Sequence, residues 1–306
     1  MNLTRLTLVQ VAAYTLTLQV EPLPRGITLA SPAGFVATYG IDPDAAFPQG
    51  LTAEPFLPNI GRRAMLTAVN EHSLVAAATD AGLASRALGE DIALSGVVLV
   101  SGDYLLELPG GSRTTVEATI ASLPETVERP TELQLWGYTR RRAFDAVEPT
   151  TVPESAADLA EPWLHAIITG RLPDQVLVAQ IASAINLEAT RDRLLLDAVR
   201  LGFADLDDTS PDAEVMAALL GGNGRPQGRR LVTAALAAQF VAAHTTDQLA
   251  GAVLYAMSAL LLWSEGSSRA ASHAVDTALL HDRSCSLALT AATVVRALEY
   301  PEWFTR

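Results

Sequence analysis

This chain of 306 residues contains no lysine; all 21 of its basic residues are arginine. That absence removes chemistry. No Walker-type phosphate-binding lysine, no Schiff-base lysine and no Ser–Lys nucleophile pair can be built. A single cysteine, Cys285, excludes an intrachain disulfide and a cysteine-based zinc site. Its position near a helix start reads as a small packing residue. The basic footprint that nucleic acid and anionic lipid require is missing too, because the formal net charge is -13. Long hydrophobic runs are also missing. The longest uncharged one, Leu249–Trp263, falls short of the roughly 20 residues of a membrane span, and Asp247 and Glu265 flank it without an arginine anchor. It reads as a buried core helix. The N-terminal stretch from Met1 to Val11 lacks the shape of a signal peptide. A cytoplasmic protein without a membrane partner is expected.

Recognisable catalytic signatures are absent as well. There is no Gly-x-Ser-x-Gly elbow. The five histidines, His72, His165, His244, His273 and His281, form neither His-x-His nor His-Glu-x-x-His. His281 and Cys285 are four apart, but a helix boundary is expected between them. A contact of His281 with the C-terminal end of a helix dipole is expected instead. No metal and no cofactor are expected.

What is present is enough apolar sequence, 49%, to build a sizeable core. Residues 5–18 fit a helix or a strand equally, and periodicity alone does not decide. Ile27–Ala30 and Phe35–Tyr39 flank Ser31-Pro-Ala-Gly34, the pattern of a hairpin. Pro43, Pro48, Pro55 and Pro58 mark residues 41–59 as a loop. Residues 60–88 read as helical, from Met65, Leu66 and Val69 through Leu74, Val75, Ala78 and Leu83. Val97–Val100 and Tyr104–Leu108 flank Ser101-Gly-Asp103, a second hairpin. Leu133–Tyr138 alternates like a further strand.

Composition changes near residue 145, and Val147–Glu154 carries the prolines of a linker. Beyond it no strand is read, and about seven helices are expected from local start and stop signals. Ser155 with Asp158 and Thr245 with Gln248 read as capping boxes, and Ser210-Pro211 as an N-cap and first-turn pair. Gly170, Gly221 and Gly266 stand where helices should end. The expected fold is therefore α+β, a mixed α/β part with a small sheet over residues 1–145. A linker at 146–154 and an all-helical domain over 155–306 follow.

Two resemblances bear on the helical half. From Val253 to Arg283 the chain is similar to a single tetratricopeptide hairpin, expected at 252–284. Gly266, Ala271 and Ala278 match that repeat's glycine and two alanines, and Arg283 stands at its proline. Tyr255, Ser258, Ala259 and Leu262 replace its first-helix signature. More broadly, three segments resemble an uncharacterised actinobacterial family, the domain of unknown function 4192. They are Thr190–Ala198, Leu262–Leu279 and Ser286–Ala288, and Ala12–Leu16 with Ile27–Leu29 resembles a worn version of the family's start. The resemblance implies a mixed α/β N-terminal part and a helical C-terminal part, and no known activity. The lysine-free composition is what high-GC coding produces, as in actinobacteria and their phages.

Four places are candidates for function. Asp205, Asp207 and Asp208 form an acidic cluster, read as a solvated turn feeding a helix N-terminus. The Gly221–Arg230 loop is glycine-rich, and Arg225, Arg229 and Arg230 are its candidate anion-binding residues. Arg140-Arg-Arg142 is read as an exposed basic spot. Aromatics are only 6% of the chain, so Tyr300, Trp303 and Phe304 within five residues stand out as a candidate interaction tail. The leading expectation is a non-enzymatic interaction or scaffold protein, with a protein partner or self-association. Two alternatives stand beside it. One is a hydrolase using carboxylates with His72 or His165, its site in the N-terminal domain. The other is a nucleic-acid adaptor acting through the arginine-bearing loop, against which the net charge argues.

Overall fold

The computed structural model describes residues 6–19, 23–48, 51–89, 91–140, 143–150, 157–222, 224 and 226–297. The chain divides into two compact units, 1–130 with 137–139, and 131–136 with 140–306. The first carries a six-stranded mixed sheet and the second is helical, so the fold is α+β followed by all-α.

The first unit runs α1 (Leu8–Thr17), β1 (Arg25–Ala30), β2 (Val36–Gly40), α2 (Leu57–Ile60), β3 (Arg63–Asn70), α3 (Leu74–Leu88), β4 (Ala93–Ser101), β5 (Tyr104–Leu108), β6 (Arg113–Thr115) and α4 (Val116–Ala121). The sheet order is β2-β1-β3-β4-β5-β6. Only β3 and β4 are parallel, joined by the α3 crossover; the other neighbours are antiparallel. Both faces of the sheet are covered. Met65, Val69, Val98, Val100 and Leu105 pack with Val11, Leu16, Val116 and Ile120 of α1 and α4. Ile27, Leu29, Leu66, Ala68 and Leu99 pack with Ala77, Ala81, Ala84 and Leu88 of α3 on the other side. Each large side chain buried this way contributes about 1.5–3 kcal/mol.

Two expectations for this part are corrected. The helix read from residue 60 begins only at Leu74; Arg63–Asn70 is the central strand β3. A strand buried on both faces shows an unbroken apolar run instead of alternation, so period alone does not separate it from a helix. Asn70 and Ser73 then restart the chain, since the Ser73 hydroxyl accepts from the amides of Val75 and Ala76. The second correction is Leu133–Tyr138, which lies in a helix, α5 (Glu132–Thr139), and not in a strand. A capping box decides it: Thr131 Oγ1 accepts from the Gln134 amide and Gln134 Oε1 from the Thr131 amide. The same device settles residues 5–18 as helix, with Thr7 and Gln10 as its pair.

The second unit contains α6 (Ala157–Thr169), α7 (Gln175–Ala184), α8 (Glu188–Gly202), α9 (Asp212–Leu219), α10 (Gly228–Ala243), α11 (Gln248–Glu265), α12 (Ser268–His281) and α13 (Ser286–Arg296). These are eight helices past residue 155 among the described residues. Helix α11 is apolar all round and is buried almost throughout from Ala250 to Ser264. Helices α10, α12 and α13 pack on it. The α11–α12 pair is the tight antiparallel hairpin expected from sequence. Gly266 closes α11 in the left-handed region at φ 101°, and the amides of Gly266 and Ser267 both donate to the Leu262 carbonyl. Ala271 and Ala278 are fully buried, as are Ala288 and Ala291 of α13. Small side chains let the helix backbones come close.

Gly170 and Gly221 also end helices with positive φ, 67° and 91°. Two expected starts are displaced. Asp247, not Thr245, caps α11, its Oδ1 accepting from the Leu249 and Ala250 amides at 2.9 and 3.1 Å. A carboxylate there also meets the positive end of the helix. Ser210 does not cap α9: its hydroxyl accepts from the Asp207 amide, and the helix begins at Asp212 after Pro211. The stretch read as a linker starts inside the second unit, where Val147 pairs with Thr245. Ser155 and residues 151–154 lie outside the described residues.

Candidate functional site

The feature that asks for a partner is the β2 edge of the sheet. Ser31 to Gly34 makes the turn, with Gly34 at φ 94° and the Ser31 amide donating to the Phe35 carbonyl at 2.8 Å. Beyond β2, the Ile41 amide donates to the Arg25 carbonyl at 3.0 Å. In an antiparallel ladder, hydrogen-bonded and non-bonded pairs alternate. Residues 35, 37, 39 and 41 therefore turn their main chain to β1, and Val36, Thr38 and Gly40 turn theirs outward. On this strand Phe35 is 57% exposed, Val36 39% and Tyr39 37%. From Gly34 to Ile41 there is no charged residue.

The edge is held firmly from behind. Arg25 of β1 forms a two-pronged pair with Asp80 of α3, Nε to Oδ2 and Nη2 to Oδ1 both at 2.7 Å. Its Nη1 donates to the carbonyls of Asp42, Pro43 and Ala45. One guanidinium thus ties the segment after β2 to the sheet and to α3. The hydrogen bonds that Arg25 donates to Asp80 raise its pKa further above its ordinary value.

The opposite edge is built differently. Strand β6 has only three residues and runs straight into α4, whose N-cap is Thr115. Its Arg113 guanidinium lies 3.5 Å from the centre of the Tyr104 ring. Shortness, a charge and an abutting helix are common ways to protect a sheet edge. Strand β2 has five residues and no charge, and among the described residues it is touched, β1 aside, mainly by the one-turn helix α2 while its main chain runs on exposed.

A second place joins two of the sequence candidates. A cleft of about 190 Å³ at the end of α8 and the start of α10 is lined by Asp197, Arg200, Phe203, Asp207, Asp208 and Arg230, among others. Arg200 donates to Asp212 Oδ1 at 2.7 Å and to the Ser210 carbonyl at 3.2 Å. Asp197 accepts from Arg193 at 2.7 Å, a bond that raises the Arg193 pKa. Arg230 donates to the Leu201 carbonyl at 3.3 Å. Asp207 accepts from the Thr209 hydroxyl and amide and from the Ser210 hydroxyl, which lowers its pKa. This is a self-bonded turn ahead of α9, as read from sequence. Three carboxylates face two guanidiniums in this cleft, so its charge works against a phosphate. Arg229 lies on the first turn of α10, its carbonyl accepting from Thr233. Arg225 lies outside the described residues, as do Tyr300, Trp303 and Phe304.

Other candidates are dispersed. His72 sits beside Glu71 at 3.0 Å, and both are exposed. His165 is an exposed residue of α6, in the second unit rather than the first. His281 ends α12 and Cys285 stands before α13, so the boundary between them is real. His281 stands in the last turn of α12, where the helix-end position was expected. Its ring lies 5.3 Å from that of Tyr255 and against Gly251, and burial lowers its pKa, which favours the neutral ring. Arg140 is not an exposed spot. It is part-buried, donates to Gln239 Oε1 at 2.7 Å and lies over Trp136. Arg141 and Arg142 lie outside the described residues. Among the described residues no group of three His, Cys, Asp or Glu side chains could hold a metal, and no helix is long and apolar enough to cross a membrane.

Sequence reasoning missed the centre of the second unit. His244 is buried, stacked on Phe240 with ring centres 4.2 Å apart and close to Phe144. Its Nδ1 faces the Phe240 carbonyl at 2.8 Å and its Nε2 accepts from the Ala143 amide at 3.1 Å. These partners assign a neutral ring protonated at Nδ1. Gln239 links this cluster to Ser258 at 2.8 Å. Local pattern carries no signal for it beyond the i, i+4 spacing of Phe240 and His244.

No protein-family model matches the chain, and neither does any curated protein or any solved structure.

Proposed function

We propose that this chain is a non-catalytic interaction protein that takes up a strand along β2, working in the cytoplasm. The observation that supports this reading is the contrast between the sheet edges. One is short, charged and runs straight into a helix; the other is neutral, aromatic and exposed. An added strand satisfies the outward main-chain groups of Val36, Thr38 and Gly40 and covers Phe35 and Tyr39. The side chains give selectivity and the backbone gives affinity. A photo-cross-linking side chain placed at position 35, in the native host, tests it. The expected result is capture of a specific protein whose cross-link maps to an extended segment. Cross-links spread over unrelated proteins at the rate given by a control at exposed Ala33 would overturn it.

A further inference from the structure

We infer that the strand received by β2 is β2 of a second copy, giving a two-fold dimer with one continuous sheet across both chains. This rests on the strand-addition reading above and specifies the partner. Of the antiparallel self-pairings that the outward groups of Val36, Thr38 and Gly40 allow, the one in which residue numbers across the pair add to 74 sets aromatic against aromatic and β-branched against β-branched. Phe35 then faces Tyr39 of the other copy, Val36 faces Thr38, and Ala37 faces Ala37 on the axis. The aromatic pair and the β-branched pair each occur twice, and both are favourable cross-strand partners.

The hydrogen-bond phase agrees with that register. Val36 and Thr38 are among the residues whose amides and carbonyls point away from β1, as the bonds at Ser31–Phe35 and Ile41–Arg25 require. In the paired strands they exchange bonds with each other, while Phe35, Ala37 and Tyr39 occupy non-bonded positions, where side chains stand closest. The side chains of Ala37 and Tyr39 lie on the α3 side of the sheet, opposite Leu29 and Ile27 of β1. The new aromatic pairs therefore extend a core that already exists.

Charge permits the contact although the chain is acidic. The segment from Gly34 to Ile41 is neutral. The first carboxylate after β2, Asp42, lies roughly 33 Å from its counterpart along the paired strands, from a rise of about 3.3 Å per residue. That is well beyond the screening length of about 8 Å at physiological salt. Symmetry also limits growth. Pairing β2 with β2 consumes both open edges, and the β6 edges are blunt, so the assembly closes at two instead of extending into a fibre.

The register makes the test sharp. In Ala37→Cys the two new thiols face each other at a non-bonded pair, about 4.5 Å between Cα atoms, inside the range a disulfide spans. In Val36→Cys the equivalent atoms lie roughly 8 Å apart by strand geometry, too far to bridge. The native Cys285 is buried and gives a low background. Mild oxidation should trap the Ala37→Cys protein as a covalent dimer and leave Val36→Cys unlinked. Val36→Pro removes an outward amide and spares the bonds to β1. It should raise the dissociation constant, followed by light scattering on dilution, about tenfold or more, with an unchanged circular dichroism spectrum. A monomer at every concentration overturns the inference. So does a dimer that Ala37→Cys fails to trap, that Val36→Cys traps equally fast, or that Val36→Pro leaves intact. If the chain is monomeric while position 35 still captures a different protein in the host, the strand-addition reading stands and only the self-pairing falls. If neither occurs, both fall.

Discussion

The two units solve the same problem with different materials. The first covers one face of its sheet with the branched side chains of α1 and α4 and the other with the alanine-rich face of α3, and its contacts join residues far apart in sequence. One arginine–carboxylate pair pins segments 55 positions apart. The second packs neighbouring helices along seams of alanine, with one helix surrounded on every side. Long-range pairing tolerates few losses at its pins, because each pin has a buried partner to strand. Alanine seams tolerate few additions, because there is no room.

Several substitutions separate these two modes. The largest effect belongs to the sheet unit. Asp80→Ala leaves the Arg25 guanidinium without its carboxylate and should cost about 3–5 kcal/mol, read by urea denaturation. Replacing Arg25 and Asp80 together by Met and Leu should recover much of that. If Asp80→Ala costs no more than an exposed pair, the pin is not what holds that unit. Next comes Ala278→Leu in the helical unit. Overpacking the seam should cost about 1–3 kcal/mol, in the transition that reports the second unit. An equal stability would mean that the seam is looser than its buried alanines indicate. Gly266→Ala is smaller, about 1–2 kcal/mol, for forcing a side chain into the left-handed region.

The helical unit should also show opposed pH dependences. Burial raises the Glu265 pKa against a lowering hydrogen bond from Ser267, so the native state holds that proton more tightly than the unfolded chain. Its contribution to stability therefore declines as pH rises above about 4.3, and Glu265→Gln removes the decline. Burial lowers the His281 pKa. The unfolded chain then binds the proton more readily, and stability declines as pH falls below about 6.5. His281→Gln should flatten that limb of a stability–pH curve. The smallest effect is Asp276→Asn, which breaks the exposed pair with Arg296 at 2.7 Å. It should change stability by less than about 0.5 kcal/mol, in contrast to Asp80.

What could be read from the sequence follows the range of the forces involved. The Ser31–Gly34 and Ser101–Asp103 turns, the helix stops at Gly170, Gly221 and Gly266, and the alanine spacing of α12 are local, and they hold. Residues 63–70 misled because a strand covered on both faces loses its alternation. Residues 133–138 misled because their alternation outweighed a capping box that lies just upstream. The candidate site was half legible. The hairpin carrying Phe35 and Tyr39 was visible, but its place at the edge depends on the order β2-β1-β3, which is set by pairing at a distance. Arg25 and Asp80 are 55 positions apart, and nothing near either one announces the other.

The burial of α11 also has a consequence for how the protein is made. The ribosome delivers this helix before α12 and α13, which cover it. Until those later helices emerge, the nascent chain carries a greasy cylinder sheltered mainly by α10. Truncations after Gly266 should therefore be caught by holdase chaperones or degraded, while the full chain escapes them.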